Sequence, residues 1–173
     1  MKQLIRITAL AIGVMFFVAE SANAQKDKSK RPSPPAQVNA TIGSTRVTID
    51  YSQPSTKGRT VFGGLEKYGK VWRTGANEST WIEVSSDVTI QGKKLAKGKY
   101  GLFTIPGKNE WTIIFSSKTD GWGAYDYKTK DDVLRVTAKS VSNSHTEKFT
   151  ISIAGETVTL AWDKTKVDFK IKG

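Results

Sequence analysis

Arg73, Asn77 and Glu78 fall within the stretch VWRTGANEST, residues 71–80, at the mouth of a segment with strand periodicity. A guanidinium, an amide and a carboxylate set so close together are groups that recognise polar ligands. Arg73, and Arg59 upstream of it, offers a planar donor fork suited to bidentate contact with a carboxylate or phosphate. Both arginines also have an ordinary use, which is to pair with Glu78, Asp126 or Asp132 and hold loops against the body of the fold. Asn77 can bond nearby backbone amides in a tight turn where Gly75 takes positive φ. A second stretch, WGAYDY at 122–127, brings Trp122, Tyr125, Asp126 and Tyr127. Its rings have flat apolar faces and polar tips, as sugar-binding surfaces require. Trp81 joins this group because it falls on the polar side of its own strand, whereas Trp72 is expected in the core.

Glu78 and Asp126 are the carboxylates inside these two stretches, so a two-carboxylate glycosidase is the best enzymatic reading. That mechanism depends on their separation in space. Other chemistries are poorly provided for. The single His145 sits in SNSH, a polar turn, which is little on which to build a Ser-His-Asp triad. The absence of cysteine removes disulfides, a thiol nucleophile and thiolate metal sites. Asp126, Asp131 and Asp132 lack a recognisable calcium loop. FGGLEKYGK lacks the Gly-Lys-Ser/Thr ending of a phosphate-cradling loop. No metal and no cofactor is therefore expected.

The elements that must position these residues read as strands. Val47, Ile49 and Tyr51 alternate with Arg46, Thr48 and Asp50, and a period of two recurs around Ile82, Ile90, Ile113, Val136, Ile151, Leu160 and Phe169. Turn signals separate the runs at 92–98, 106–109, 154–155 and 163–164. About ten short strands without a helical period imply an antiparallel all-β domain, a jelly-roll-like β-sandwich with a β-barrel as the alternative. KYGLFTI breaks the alternation and predicts a central strand covered on both faces. Two connections, 52–77 and 116–132, are too long for a minimal sandwich, and both carry the candidate residues; loops of that length are more often functional than idle.

The first residues combine Lys2 and Arg6, an apolar run from Ile7 to Ala19, and Ala22-Asn23-Ala24. That is the pattern of a secretory signal peptide over 1–24. Cleavage there predicts an exported chain of 149 residues, 173 minus 24, beginning at Gln25. Residues 25–35, QKDKSKRPSPP, read as a flexible basic leader, and 36–173 as one domain. No later segment could cross a membrane. The formal charge of +11 becomes +10 without Lys2, Arg6 and Glu20. Such charge favours polyanionic surroundings, and for a periplasmic or extracellular chain these are acidic glycans or envelope polymers rather than nucleic acid.

KGRTVFGGLEKYGKVWRTGANEST, then GKKLAKGKYGLFTIPGKNEWTIIF, then WGAYDYKTKDDVLRV, resemble the bacterial envelope family termed domain of unknown function 2911. The resemblance implies a secreted or periplasmic single-domain protein and brings no activity with it. Three roles follow from the residues. The leading one is a non-catalytic binding module for an acidic or glycan ligand, with Arg59, Arg73, Asn77, Glu78, Trp81, Trp122, Tyr125 and Asp126 around the site. The second is an envelope polysaccharide hydrolase or lyase using Glu78 and Asp126. The third is a structural envelope protein.

Overall fold

The computed structural model describes residues 27–173; the segment with the signal-peptide pattern, expected over 1–24, and the first two residues of the expected leader lie outside them. Among the described residues nine strands run in chain order: β1 (Pro35–Ile42), β2 (Thr45–Ser52), β3 (Trp81–Val84), β4 (Val88–Ile90), β5 (Lys93–Leu95), β6 (Gly98–Ile105), β7 (Glu110–Ser116), β8 (Asp132–Ala154) and β9 (Thr157–Lys172). Short 3-10 turns at Lys28–Lys30 and Thr129–Asp131 are the only helical elements described. All pairings are antiparallel, in the order β1-β2-β3-β6-β7-β8-β9-β4-β5.

Alternation places the core. In β2 the side chains of Val47, Ile49 and Tyr51 are buried while Arg46, Thr48 and Asp50 face the other way. Strand β6 is the exception the sequence predicts. Tyr100 and Leu102 enter the main core, and Phe103 on the opposite face is buried under the loop that follows β7, 5.1 Å from the ring of Tyr127.

A single ladder becomes two layers because β8 changes partner along its length. Asp132–Lys139 pairs with β7, and from Ser140 onward β8 pairs with β9. The corner lets the second half of the ladder face the first, so that Phe115 of β7 meets Phe169 of β9 at 6.3 Å. The terminal strands β1 and β5 are not hydrogen-bonded to each other, so the sheet is folded but not closed, and the barrel alternative is not realised. Trp72, Trp111, Trp162, Phe62 and Phe149 fill the space between the layers.

Two differences from the sequence reading are physical. The segment between Ala138 and Phe149 is polar and looked like a turn, but it stays extended because β9 pairs with it through two register shifts. Pro35–Ile42 forms a strand that the apolar pattern did not announce, because its inward residues Ala36, Val38 and Ala40 are small and only half-buried.

Candidate functional site

Both long connections return to the sheet and are sewn to it. The first crosses β6 at Trp72, whose N–H donates to the Thr104 carbonyl at 2.8 Å while the Thr104 N–H donates back at 2.9 Å. The Trp72 indole N–H donates to the Gly75 carbonyl at 3.0 Å. Below the turn lies a buried hydroxyl network. Thr74 Oγ1 bonds Thr104 Oγ1, and Thr80 Oγ1 donates to the Thr74 carbonyl at 2.9 Å. Thr74 and Asn77 hold φ of 56° and 60°. For a β-branched residue that is an outlier, and such strain persists only where the surroundings impose it.

The second connection is zipped to the first. Ser79 N–H donates to the Gly121 carbonyl and Gly123 N–H to the Asn77 carbonyl, both at 3.0 Å, and Glu78 bridges Trp122 backbone to backbone. The loop then lies over the outer face of β6, where Gly101 leaves room for the carbonyl of Lys118. The uncovered remainder of that face, together with the loop edge, makes a cleft of about 330 Å³. Its floor is Trp81, its register partner Asp50, and Lys99, two residues along β6 from the Gly101 that pairs with Trp81, and its walls include Glu78 and Thr119 to Gly121. Lys99 Nζ stands 3.6 Å from the Trp81 ring centre, a cation–π contact that fixes the half-exposed indole.

The candidates therefore separate. Glu78 and Trp81 line the cleft. Trp122 and Tyr125 do not; they project to solvent, 49% and 88% exposed. Asp126 is exposed as well, and among the described residues its side chain makes no hydrogen bond or ion pair. Asn77 donates to the Ser33 carbonyl at 2.9 Å, tying down the segment before β1. Arg59 is exposed and donates to the carbonyls of Ser55 and Thr56, each at 2.9 Å, so its work is to close a local turn rather than to pair with a carboxylate.

The expected pairing of an arginine with Glu78 occurs with a different arginine. Arg31, from the segment preceding β1, donates through one nitrogen to both Glu78 oxygens at 2.9 Å, and Lys28 Nζ stands 3.2 Å away. Burial alone would raise the Glu78 carboxyl; the hydrogen bonds from Arg31 and Lys28 outweigh it and hold it at about 2. Arg73 instead shares its surroundings with Glu66. Burial lowers the Arg73 guanidinium, and burial raises the Glu66 carboxyl to about 7 against the opposing pull of Arg73. Sequence reading passed over Glu66 because Glu-Lys in a polar loop looks like surface; the apolar Val61-Phe62 two turns of chain away was the available signal.

Glu66 gives a pH prediction. Its folded value of about 7 lies above its ordinary 4.5, so the folded state binds more protons between those limits and stability falls as pH rises through that window. For a half-buried carboxyl the loss should be on the order of 2 kcal/mol. Denaturant midpoints at pH 5 and pH 8 should differ in that direction, and Glu66→Gln should flatten the difference. An unchanged difference in the variant would locate the effect elsewhere.

The family described as "Protein of unknown function (DUF2911)" matches residues 33–171. The chain belongs to the DUF2911 family. That match spans every strand of the ladder, both zipped connections and the cleft between them, so the site is built wholly from DUF2911 sequence apart from Lys28 and Arg31. No curated protein and no solved structure matches the chain.

Proposed function

We propose that this DUF2911 protein is an exported, non-catalytic binding module whose cleft takes a glycan. The observation that carries the reading is Trp81: a half-exposed indole on a rigid sheet, held by Lys99, with the carboxylates of Asp50 and Asp120 beside it in the same cleft. Ring stacking with flanking carboxylate acceptors is what sugar hydroxyls need. The charged groups lining the cleft are Lys28 and Lys99 against Asp50, Glu78 and Asp120, so the cleft itself is not cationic. This favours an uncharged glycan there over the anionic one that the overall charge implies. Export is part of the proposal and rests on the signal-peptide pattern.

The hydrolase reading is less well supported. Glu78 is ionised at any physiological pH, and both its oxygens already accept from Arg31, so it can neither donate a proton to a leaving group nor attack freely. Asp126 stands apart from the cleft lining.

The test is a glycan array followed by calorimetry on the chain and on Trp81→Ala. A neutral oligosaccharide should bind without being cleaved, and Trp81→Ala should weaken it about tenfold, the scale of a lost stacking contact. Equal binding by the variant, or turnover of a bound oligosaccharide, would overturn the reading.

A further inference from the structure

Residues 28–34 form a strap across the end of the sheet and are tied there at several points. The Arg31 guanidinium donates to both Glu78 oxygens at 2.9 Å, with only 14% of its side chain exposed, and Lys28 Nζ stands 3.2 Å from the same carboxylate. Bonds between charged partners are the strong ones. The Ser33 carbonyl accepts from the Asn77 amide, and the Pro34 carbonyl accepts from the Gln53 N–H, each at 2.9 Å. Asp27 caps the turn that carries Lys28 by accepting from the Ser29 N–H at 3.1 Å. The strap therefore joins the start of the first long connection, at Gln53, to its end at Asn77 and Glu78. Through Lys28 and the adjoining Pro35 it reaches the lining of the cleft.

Strand register shows which way the cleft opens. Gln37, Asp50, Trp81 and Gly101 are paired in one row across β1, β2, β3 and β6. On one side of that row lie the paired Pro35 and Ser52, where the strap enters β1. On the other side lies the row Asn39, Thr48, Glu83 and Lys99. Residues two apart along a strand share a face, so all three rows belong to the outer side of the sheet. The Lys118 carbonyl over Gly101 ends the Trp81 row on the β6 side, and the strap with Glu78 stands at the Pro35 and Ser52 side. The third row is polar, and its Asn39, Glu83 and Lys99 are exposed. Its Thr48 hydroxyl donates to Asn39 at 2.8 Å, and the Asn39 amide donates to Gln37 at 2.9 Å. Neighbouring rows are about 7 Å apart, two residues of strand. A sugar ring stacked on Trp81 thus has the strap at one edge and a row of hydroxyl, amide and carboxylate groups at the other. A chain that extends in one direction only is held by its end.

We propose that the strap makes the cleft blind, so that it takes the terminal unit of a neutral glycan whose remaining units leave over Asn39, Thr48 and Glu83; this rests on the glycan reading of the cleft. The experiment is an array of neutral oligosaccharides printed twice, tethered through the reducing end in one print and through the non-reducing end in the other. The terminus that enters a blind cleft must be free, so each oligosaccharide captured from one print should bind about tenfold or more weakly in the other. Lys28→Ala with Arg31→Ala should open the closed end and bind the same oligosaccharides in both prints. The Gln53 amide reports the strap without any sugar. Its hydrogen exchange should quicken about tenfold in that variant and in Arg31→Glu, the scale of a lost charge-assisted hydrogen bond. These changes leave every core side chain in place, so the variants should stay folded. Equal capture of the parent from both prints would overturn the proposal, and so would an opened variant that keeps the one-print pattern. Unchanged Gln53 exchange in both variants would also overturn it, since the strap would not then be held by Glu78. Failure of the cleft reading looks different: capture survives Trp81→Ala, or neither the parent nor the opened variant captures any oligosaccharide. End recognition then falls with that reading, whereas the Gln53 amide still reports the latch.

Discussion

Trp72→Ala should destabilise the domain by about 4 kcal/mol, near the top of the range for an aromatic truncated in a core. The indole is 2% exposed and stacks on Trp162 with ring centres 5.6 Å apart and planes 20° from parallel. Phe149 meets it edge-on at 4.9 Å, and Phe62 and Trp111 complete the cage. Two losses add to the cavity. The Gly75 carbonyl loses its indole donor in a buried turn, and the first long connection loses the side chain that pins it between the layers. Equilibrium denaturation measures the whole effect. The same variant should loosen the 71–80 turn, which hydrogen exchange at the Trp72 and Thr104 amides would report as faster opening. A loss below about 1 kcal/mol, the ordinary surface range, would mean that the aromatic cage does not hold the connection.

That expectation corrects the weight the sequence places on the motif around Trp72. The stretch reads as a cluster of ligand-binding groups, yet most of its residues build support. Trp72 anchors it, the Thr74 hydroxyl reaches the Thr104 hydroxyl of β6, the Thr80 hydroxyl closes the turn on the Thr74 carbonyl, and Asn77 fastens the segment before β1. From this stretch Glu78 and Ser79 and, just beyond it, Trp81 reach the cleft. A motif rich in polar residues cannot announce this division, since a buried threonine hydroxyl and a ligand-facing one have the same letter. What was legible was Trp81 on the polar face, because strand alternation fixes the side to which each residue points.

The fold was legible for the same reason. Strand alternation identified β2, β3, β6 and β7 and the double coverage of β6, because each inward position carries a large apolar residue. It failed where burial is slight, at β1, and where a strand is held by its partner rather than by a core, in the middle of β8. The ion pairs were hidden by distance along the chain. Arg31 and Glu78 are 47 residues apart, and Arg31 lies in a Pro-rich basic segment whose composition is that of a leader. Nothing local distinguishes that arginine from its neighbours; only the return of the first connection past the start of β1 brings Glu78 to it.

Gly101→Ala should cost about 3 kcal/mol, the upper part of the range for overpacking a filled interior. It should also impair the cleft, although residue 101 does not line it. Gly101 lies in β6 between Trp81 and Ser116, on the outer face of the sheet. A Cβ built there collides with the backbone carbonyl oxygen of Lys118 and stands 3.0 Å from the Phe103 ring. A side chain could swing away, but a carbonyl moves only with its chain, so the loop must lift from the sheet. Lifting Lys118 displaces Thr119 to Gly121, which form a wall of the cleft, and uncovers Phe103. Stability and the glycan affinity proposed for the cleft should therefore fall together. Gly92→Ala supplies the contrast. Its φ of 81° is strained for alanine, but nothing lies within 4 Å of the added carbon, so stability should drop by about 1 to 2 kcal/mol while binding at the cleft is unchanged. If Gly101→Ala instead melts like the parent, the loop does not rest on the sheet. If it is destabilised and still binds as the parent does, the cleft owes nothing to the position of the second connection.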